Sequence, residues 1–155
     1  MQTLYECDFR SKSDIEEIKK RNISNYHEDA DTEYIDTTIS GIQENQNVID
    51  EKIAKTAPEW PLEQIASIDK TILRIAVYEI LYSKDIPPKV AINEAVELGK
   101  TFGGQNSSKF INGVLGTVYR KSPKYNPKDD VLPPKEKDER KAQNWRIRPE
   151  KSTGI

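Results

Sequence analysis

Apolar residues cover most of the circumference of one predicted helix, residues 67–83. A helix with so wide an apolar surface must be buried, so we predict that it is the central helix of the fold. Its polar residues recur at steps of three or four, which places them in one narrow stripe along the helix. This stripe, the predicted face for solvent or a partner, consists of Ser67, Lys70, Thr71, Arg74, Tyr78 and Tyr82.

Three helices are predicted before the central one. The first covers LYECDFR, and because no capping residue precedes it, we expect the chain to begin inside this helix. The second spans residues 14–26 and has only a sparse apolar edge. The third spans residues 31–57, where isoleucines recur at steps of three, four or seven and Asp31 or Thr32 is positioned as the cap.

A short proline-rich segment joins the third helix to the central one. Pro58 and Pro61 end the preceding helix, and Trp60 lies between them. Two interpretations of Trp60 stay open at this point: the indole closes one side of the core, or it stacks on a ligand.

One further helix follows the turn at Pro87 and Pro88, because a proline is well placed in the first turn of a helix. Its apolar face continues to residue 102. The glycine pair at 103–104 is expected to stop the helix in a left-handed conformation.

A last helix begins at Ser107 or Ser108, either of which is a suitable cap. Gly113 and Gly116 are expected to let a neighbouring helix approach this one closely. No stretch alternates apolar and polar residues over a useful length, so the predicted fold is all-α.

The chain of 155 residues divides by composition into a predicted helical domain, residues 1–121, and a charged, proline-containing tail, residues 122–155. Such a tail cannot bury enough surface to fold alone, although Trp145 marks an alternative docking or RNA-touching motif. The first 120 residues contain 14 Lys and Arg against 20 Asp and Glu, and the remainder contains 10 against 6. An acidic body is a poor general polyanion binder, so any RNA binding must be local or assisted by the tail or a partner.

The sequence offers few candidate catalytic or metal-binding residues. The single cysteine, Cys7, excludes an intramolecular disulfide, and the single histidine, His27, argues against a histidine-based catalytic or zinc site. GKTFGG lacks the spacing of a phosphate loop and follows a predicted helix instead of a strand. No apolar run is long enough for a membrane span and no basic, apolar leader is present, so we expect a cytoplasmic protein without metal or cofactor.

The loop GGQNSSKF is the most promising binding element. Backbone N–H groups at the start of the last helix favour phosphate, and Lys109 and Phe110 add a cation and an aromatic ring. The alternative is an ordinary capped helix in which Phe110 turns into the core.

The segments DKTILRIAVYEI, PPKVAINEAVELGKTFG and SSKFINGVLG, in this order and spacing, resemble the C-terminal half of the NusB family, bacterial transcription antitermination factors. LYECDFR is similar to the end of the family's first helix. The resemblance implies two small helical subdomains, no catalysis and no cofactor. It also implies pairing with the ribosomal protein NusE, binding of single-stranded boxA RNA, and work in rRNA transcription with other Nus factors and RNA polymerase.

The resemblance also assigns residues to these roles. The implied RNA side comprises Arg74, Gln105, Asn106, Ser107, Lys109 and Phe110. The implied NusE side comprises Tyr5, Asp69, Tyr78 and Glu79. Members of the family have an arginine-rich stretch before the position of LYECDFR, and this sequence starts after it. Two functional classes therefore stay open: an RNA-binding antitermination factor, or a protein-only module that binds NusE and has weak or lost RNA binding.

Overall fold

The computed structural model describes residues 1–9, 14–25 and 31–130, which contain six α-helices and no β-strand. The all-α prediction is confirmed. Residues Met1–Lys124 form one compact unit, and a short 3₁₀ turn at Pro127–Asp130 belongs to a second one. The helices are α1 (Gln2–Cys7), α2 (Ile15–Asn25), α3 (Thr32–Thr56), α4 (Ser67–Tyr82), α5 (Pro88–Phe102) and α6 (Ser107–Arg120).

Helix α4 lies at the centre of the compact unit, as its apolar circumference predicts. It contacts α1, α3, α5 and α6, whereas α1 and α2 pack mainly against each other. The wide apolar surface of α4 is removed from water by these neighbours. Its side chains without exposed surface are Ile72, Leu73, Val77 and Ile80.

Part of the polar stripe of α4 is covered, contrary to prediction, whereas Tyr82 at the end of the stripe is 40% exposed. Thr71 is 1% exposed, and its hydroxyl donates to the Ser67 carbonyl at 2.8 Å. Lys70 and Arg74 lie under α1, where both approach the carboxylate of Asp8. The sequence pattern groups these residues correctly on one face, but helices from distant parts of the chain cover that face.

Helix α3 follows its prediction closely. The carboxylate of Asp31 caps it by accepting a hydrogen bond from the Tyr34 N–H at 3.0 Å. Gly41, in its middle, is explained by packing, because a Cβ atom there would overlap the ring of Tyr78 from α4. Glycine is therefore needed at this position of α3, because any side chain would collide with the ring.

The junction between α5 and α6 differs from its prediction. Gly103 has φ −89° and ψ −177°, so α5 ends in extended backbone and not in a left-handed residue. Its lack of a side chain is still required, since a Cβ would lie 2.7 Å from the Gly99 carbonyl oxygen. The residue before α6 is Asn106, which makes no side-chain capping bond, so neither Ser107 nor Ser108 is the cap.

The glycine that brings α5 and α6 together lies in α5. A Cβ on the buried Gly99 would be 2.8 Å from Ile111 Cδ1 and 3.3 Å from the Ser108 Cα. Gly113 has no other residue within 4 Å of that position, and the nearest atom to Gly116 belongs to Arg120 on the same helix. The prediction that Gly113 and Gly116 permit close helix packing is therefore wrong.

Two sequence predictions concern residues outside the described ranges: the single histidine His27 and the motif at Trp145. The tail predicted from residue 122 lies outside those ranges from residue 131 onward. All three stay predictions. Within the described ranges, none of the helices combines the length and the apolar character that crossing a bilayer requires.

Candidate functional site

The loop between α5 and α6 borders a cavity of about 380 Å³ beside the start of α4. The 3₁₀ turn Leu62–Gln64 closes its other side. Two segments that are distant in sequence, residues 60–69 and 104–110, therefore form one site, so no local sequence pattern reveals it. Its lining residues are Trp60, Gln64, Ile65, Ala66, Asp69, Gly104, Asn106, Ser107 and Phe110.

The predicted RNA-binding residues of the loop are accessible, with one exception. Gln105, Asn106 and Lys109 are exposed. Ser107 is only 6% exposed, and its Oγ accepts a hydrogen bond from the Gly104 N–H at 2.8 Å. Ser107 thus stabilises the turn of residues 104–107, in which Gln105 and Asn106 are exposed. The burial of Ser107 conflicts with its predicted direct contact to RNA.

Two aromatic residues lie at the cavity. Trp60 is 53% exposed, so it is not the buried lid of the core that one interpretation expected. Phe110 is partly buried and also lines the cavity, at the first turn of α6. Both rings retain surface on which a planar group can stack.

Asp69 lies on the cavity side of α4 and not with the residues predicted to bind NusE. It is ten residues from Glu79, about 15 Å along the helix axis. Asp69 is 8% exposed, and its Oδ1 atom is buried without a hydrogen-bond partner. The structure therefore places Asp69 beside the α5–α6 loop, apart from Tyr78 and Glu79, and its contact with NusE stays a prediction.

A second surface lies at the other end of α4. Tyr78 and Glu79 line a cavity of about 580 Å³, and the hydroxyl of Tyr34 from α3 donates to the Glu79 carboxylate. Glu79 is 3% exposed, and burial raises the pKa of its carboxyl group. Burial and the bond to Glu79 also raise the pKa of Tyr34. Tyr34 escaped the sequence analysis because it is 45 residues from its partner.

Tyr5 is partly exposed on α1. Its ring lies 5.2 Å from that of Phe9 in an edge-to-face arrangement at 71°. Phe9 is 65% exposed, so this pair forms a small apolar patch. Tyr5 does not line the cavity that contains Tyr78 and Glu79.

The guanidinium group of Arg74 is hydrogen-bonded to carboxylates of the protein itself. It donates to Asp50 on α3 through Nε at 2.8 Å and Nη2 at 3.0 Å, and to Asp8 through Nη1 at 3.1 Å. Burial alone would lower the pKa of Arg74, but these carboxylates outweigh it and raise the pKa. Its side chain is 13% exposed, which conflicts with the predicted contact to RNA.

The residues at the two cavities are suited to binding a partner rather than to holding a metal ion. In the part of the chain that the structure describes, no group of three or more His, Cys, Asp or Glu side chains could hold a metal ion. The cavity at the loop is lined by two aromatic rings, exposed polar groups and one carboxylate.

Comparison with known sequences identifies relatives along most of the chain. A sequence profile of the NusB family matches residues 1–120. The transcription antitermination protein NusB of Dehalococcoides mccartyi (strain CBDB1) is 41% identical over 118 residues, which are 76% of this chain and 82% of that protein. The same protein of Clostridium acetobutylicum is 42% identical over 122 residues, 79% of this chain and 90% of the relative.

Solved structures have the same fold. NusB of T. maritima is 34% identical, with a TM-score of 0.70 over 88% of this chain and 89% of that one. A structure of the antitermination factors NusB and NusE in complex with double-stranded RNA matches with a TM-score of 0.68. That match is 23% identical and covers 77% of this chain and 89% of the other, so it supports the fold alone.

Proposed function

Because this chain belongs to the NusB family of transcription antitermination proteins, which are not enzymes, we propose that it pairs with NusE and binds boxA-type single-stranded RNA. It would act in the cytoplasm on rRNA transcripts, together with other Nus factors and RNA polymerase. The solved complex of a relative with NusE and RNA supports this assignment by fold.

The observation that carries the proposal is the α5–α6 loop. Gln105, Asn106 and Lys109 are exposed beside the partly buried ring of Phe110. The Ser107 N–H donates to the Gly104 carbonyl at 3.1 Å. The N–H groups of the next two residues have no acceptors inside α6, so they favour phosphate oxygens. Single-stranded RNA is bound by such a combination of stacking and phosphate contacts.

The NusE side is assigned to the other end of α4. Tyr78, Glu79 and Tyr34, whose hydroxyl donates to Glu79, line a polar and aromatic cavity. Tyr5 contributes a ring on α1. A buried carboxylate beside tyrosines is complementary to a cationic side chain of a partner. Asp69 lies at the loop cavity, at the start of α4, and is proposed as a further contact to NusE.

The alternative, a protein-only module that binds NusE, is supported by electrostatics. The first 120 residues carry more acidic than basic groups, and Arg74 is held by Asp50 and Asp8. Few cations therefore remain near the loop to neutralise RNA phosphates.

Titration of a fluorescent boxA RNA with this protein, alone and with equimolar NusE, separates the two functions. The proposal expects tighter RNA binding when NusE is present, because two proteins then contribute contacts to one RNA. A stable complex with NusE that does not bind RNA at moderate salt would establish the protein-only module. A scrambled RNA of the same length is the control for general polyanion binding.

A further inference from the structure

The outer face of α6 carries positive charge that no carboxylate of the described residues neutralises. Lys109 and Arg120 are both exposed. Within the described residues, Lys109 has no hydrogen bond or ion pair, and Arg120 donates to the Thr117 hydroxyl of its own helix at 3.3 Å. Arg74 on α4, by contrast, is held by two carboxylates. Lys109 and Arg120 therefore remain available to an anionic ligand.

The sequence around α6 is the longest interval of the chain without an acidic residue. Residues 98–128 contain no Asp or Glu, although residues 1–120 as a whole carry more acidic than basic groups. An acidic surface repels the phosphates of RNA, and a basic one attracts them. The path of least repulsion away from the α5–α6 loop therefore follows α6.

Lys109 and Arg120 lie on one line along α6. Residues 109, 113, 116 and 120 follow one another at steps of four, three and four, which places them on the same side of a helix. The two cations are eleven residues apart, about 16 Å along the helix axis. Successive phosphates of one stacked strand advance by only roughly 3.4 Å, so cations at this separation contact different phosphates of the same strand.

The two positions between these cations on the line are glycines. A Cβ at Gly113 would have no other residue within 4 Å, and the nearest atom to a Cβ at Gly116 belongs to the Arg120 guanidinium at 3.6 Å. Helix packing therefore does not explain either glycine, although glycine weakens an exposed helix. Because no side chains project between the two cations, a ligand backbone can approach the main chain of α6 closely.

We propose that single-stranded RNA leaves the α5–α6 loop along this line of α6, with one phosphate at Lys109 and a further phosphate at Arg120. The inference rests on the proposed RNA binding and extends it beyond the loop. Arg120 becomes an RNA-binding residue, and Gly113 and Gly116 leave room for the strand. The same path supplies positive charge that the acidic body otherwise lacks.

The test measures the affinity of Arg120→Ala for boxA RNA, with NusE present, over a series of salt concentrations. Loss of one phosphate contact on a single strand should reduce the salt slope by about 0.7, which weakens binding about fivefold at about 0.1 M salt. Lys121→Ala is the matched control, because Lys121 is the next residue, is also exposed and lies about 100° further around the helix axis. We expect Lys121→Ala to bind RNA as the original protein does.

Gly113→Gln tests whether the strand needs the space beside α6. Nothing lies within 4 Å of an added Cβ, and glutamine forms helices better than glycine, so the urea midpoint should stay the same or rise. RNA binding should nevertheless weaken at least about fivefold, because a strand held away from α6 cannot reach Arg120. Asn112→Gln is the control, since it places the same side chain at the neighbouring exposed position, off the line.

A scan of single phosphates in the RNA identifies the contact directly. A neutral methylphosphonate replaces one phosphate of the boxA RNA at a time. One replacement should weaken binding to the original protein about fivefold and have no effect on Arg120→Ala. A second replacement, several nucleotides away, should lose its effect in Lys109→Ala.

RNA binding that Phe110→Ala weakens, but that Arg120→Ala leaves unchanged in affinity and salt slope, would overturn this inference and leave the loop assignment intact. Equal losses in Arg120→Ala and Lys121→Ala would also overturn it, because a diffuse positive field would then explain both. Weaker binding of NusE to Arg120→Ala without RNA, measured by calorimetry, would overturn it by assigning this face to the protein partner. Absence of RNA binding by the original protein with NusE would instead contradict the proposed function, and this inference with it.

Discussion

Arg74 and Asp50 are joined by two parallel hydrogen bonds, Nε to Oδ1 at 2.8 Å and Nη2 to Oδ2 at 3.0 Å. The remaining Nη1 group donates to Asp8 at 3.1 Å, so one guanidinium ties α4 to both α3 and α1. The side chains of all three residues are at most 20% exposed. Such bidentate, partly buried pairs depend on the planar geometry of arginine.

Arg74→Ala should destabilise the fold by about 2–4 kcal/mol, because it leaves the partly buried Asp50 without this partner and Asp8 with Lys70 alone. Arg74→Lys should cost less, about 1–2 kcal/mol, since one ammonium group replaces the charge but not the parallel bonds. Urea unfolding of both variants gives these values. RNA affinity of the folded fraction should change little.

The control for this prediction is Lys55→Ala. Lys55 pairs with Glu51 at 2.7 Å, but their side chains are 71% and 61% exposed. Exposed pairs contribute less than about 1 kcal/mol. A loss in Arg74→Ala no larger than in Lys55→Ala would show that the α1–α3–α4 ion pairs do not stabilise the fold.

The helices could be predicted from the sequence, whereas the ion pairs between them could not. The helix boundaries follow from apolar spacing, prolines and the cap at Asp31, all of which act within a few residues. The partners of Arg74 are 24 and 66 residues away. No local pattern determines which helix covers Lys70 and Arg74, so the sequence alone predicts that the whole polar stripe of α4 is free.

Gly99 and Gly113 allow a matched test of helix packing. Gly113→Ala should stabilise the protein by about 0.5–1 kcal/mol, because alanine is the better helix former and nothing lies within 4 Å of the added methyl. Gly99→Ala should destabilise it by about 1–2 kcal/mol, since the methyl would press on Ile111 and on the Ser108 backbone. Denaturant melts measure both. Equal effects of the two substitutions would contradict the close α5–α6 contact.

Tyr34 predicts a specific response to alkaline pH. Its pKa is raised in the folded state, so its contribution to stability is complete below the ordinary tyrosine pKa of about 10 and is lost as the pH rises further. Between about pH 9 and 11, the free energy of unfolding should fall less steeply in Tyr34→Phe than in the original protein, by at most about 1 kcal/mol per pH unit. Parallel slopes in the two proteins would show that Tyr34 ionises normally.

Tyr5→Ala should weaken NusE binding about 30-fold, the loss typical of an aromatic residue at an interface. Its partly exposed position predicts that helicity stays intact. Isothermal titration with NusE measures the affinity, and circular dichroism checks the fold. Loss of helicity in proportion to affinity would assign Tyr5 a structural role.

The binding surfaces were predictable only in part. The α5–α6 loop was identified because its small residues, lysine and phenylalanine are adjacent in sequence. Trp60 and Asp69 join that loop only through folding, and Tyr34 reaches Glu79 across the α3–α4 interface. The sequence also could not show that Ser107 turns inward to accept from the Gly104 N–H.

The most direct test of RNA binding at the α5–α6 loop is the affinity of Phe110→Ala for boxA RNA with NusE present, over a series of salt concentrations. Phe102→Ala is the matched control, because Phe102 is 52% exposed and does not line the loop cavity. Lys109→Ala tests the phosphate contact and should reduce the salt slope by about 0.7.

We expect Phe110→Ala to weaken binding about 5- to 150-fold with little change in the salt slope, the loss of one stacked base. Phe102→Ala should bind as the original protein does. Urea melts of both variants correct for any unfolded fraction. Unchanged RNA affinity in folded Phe110→Ala would contradict the assignment of RNA binding to the α5–α6 loop. An equal loss in Phe102→Ala, at the end of α5, would contradict the stacking role of Phe110.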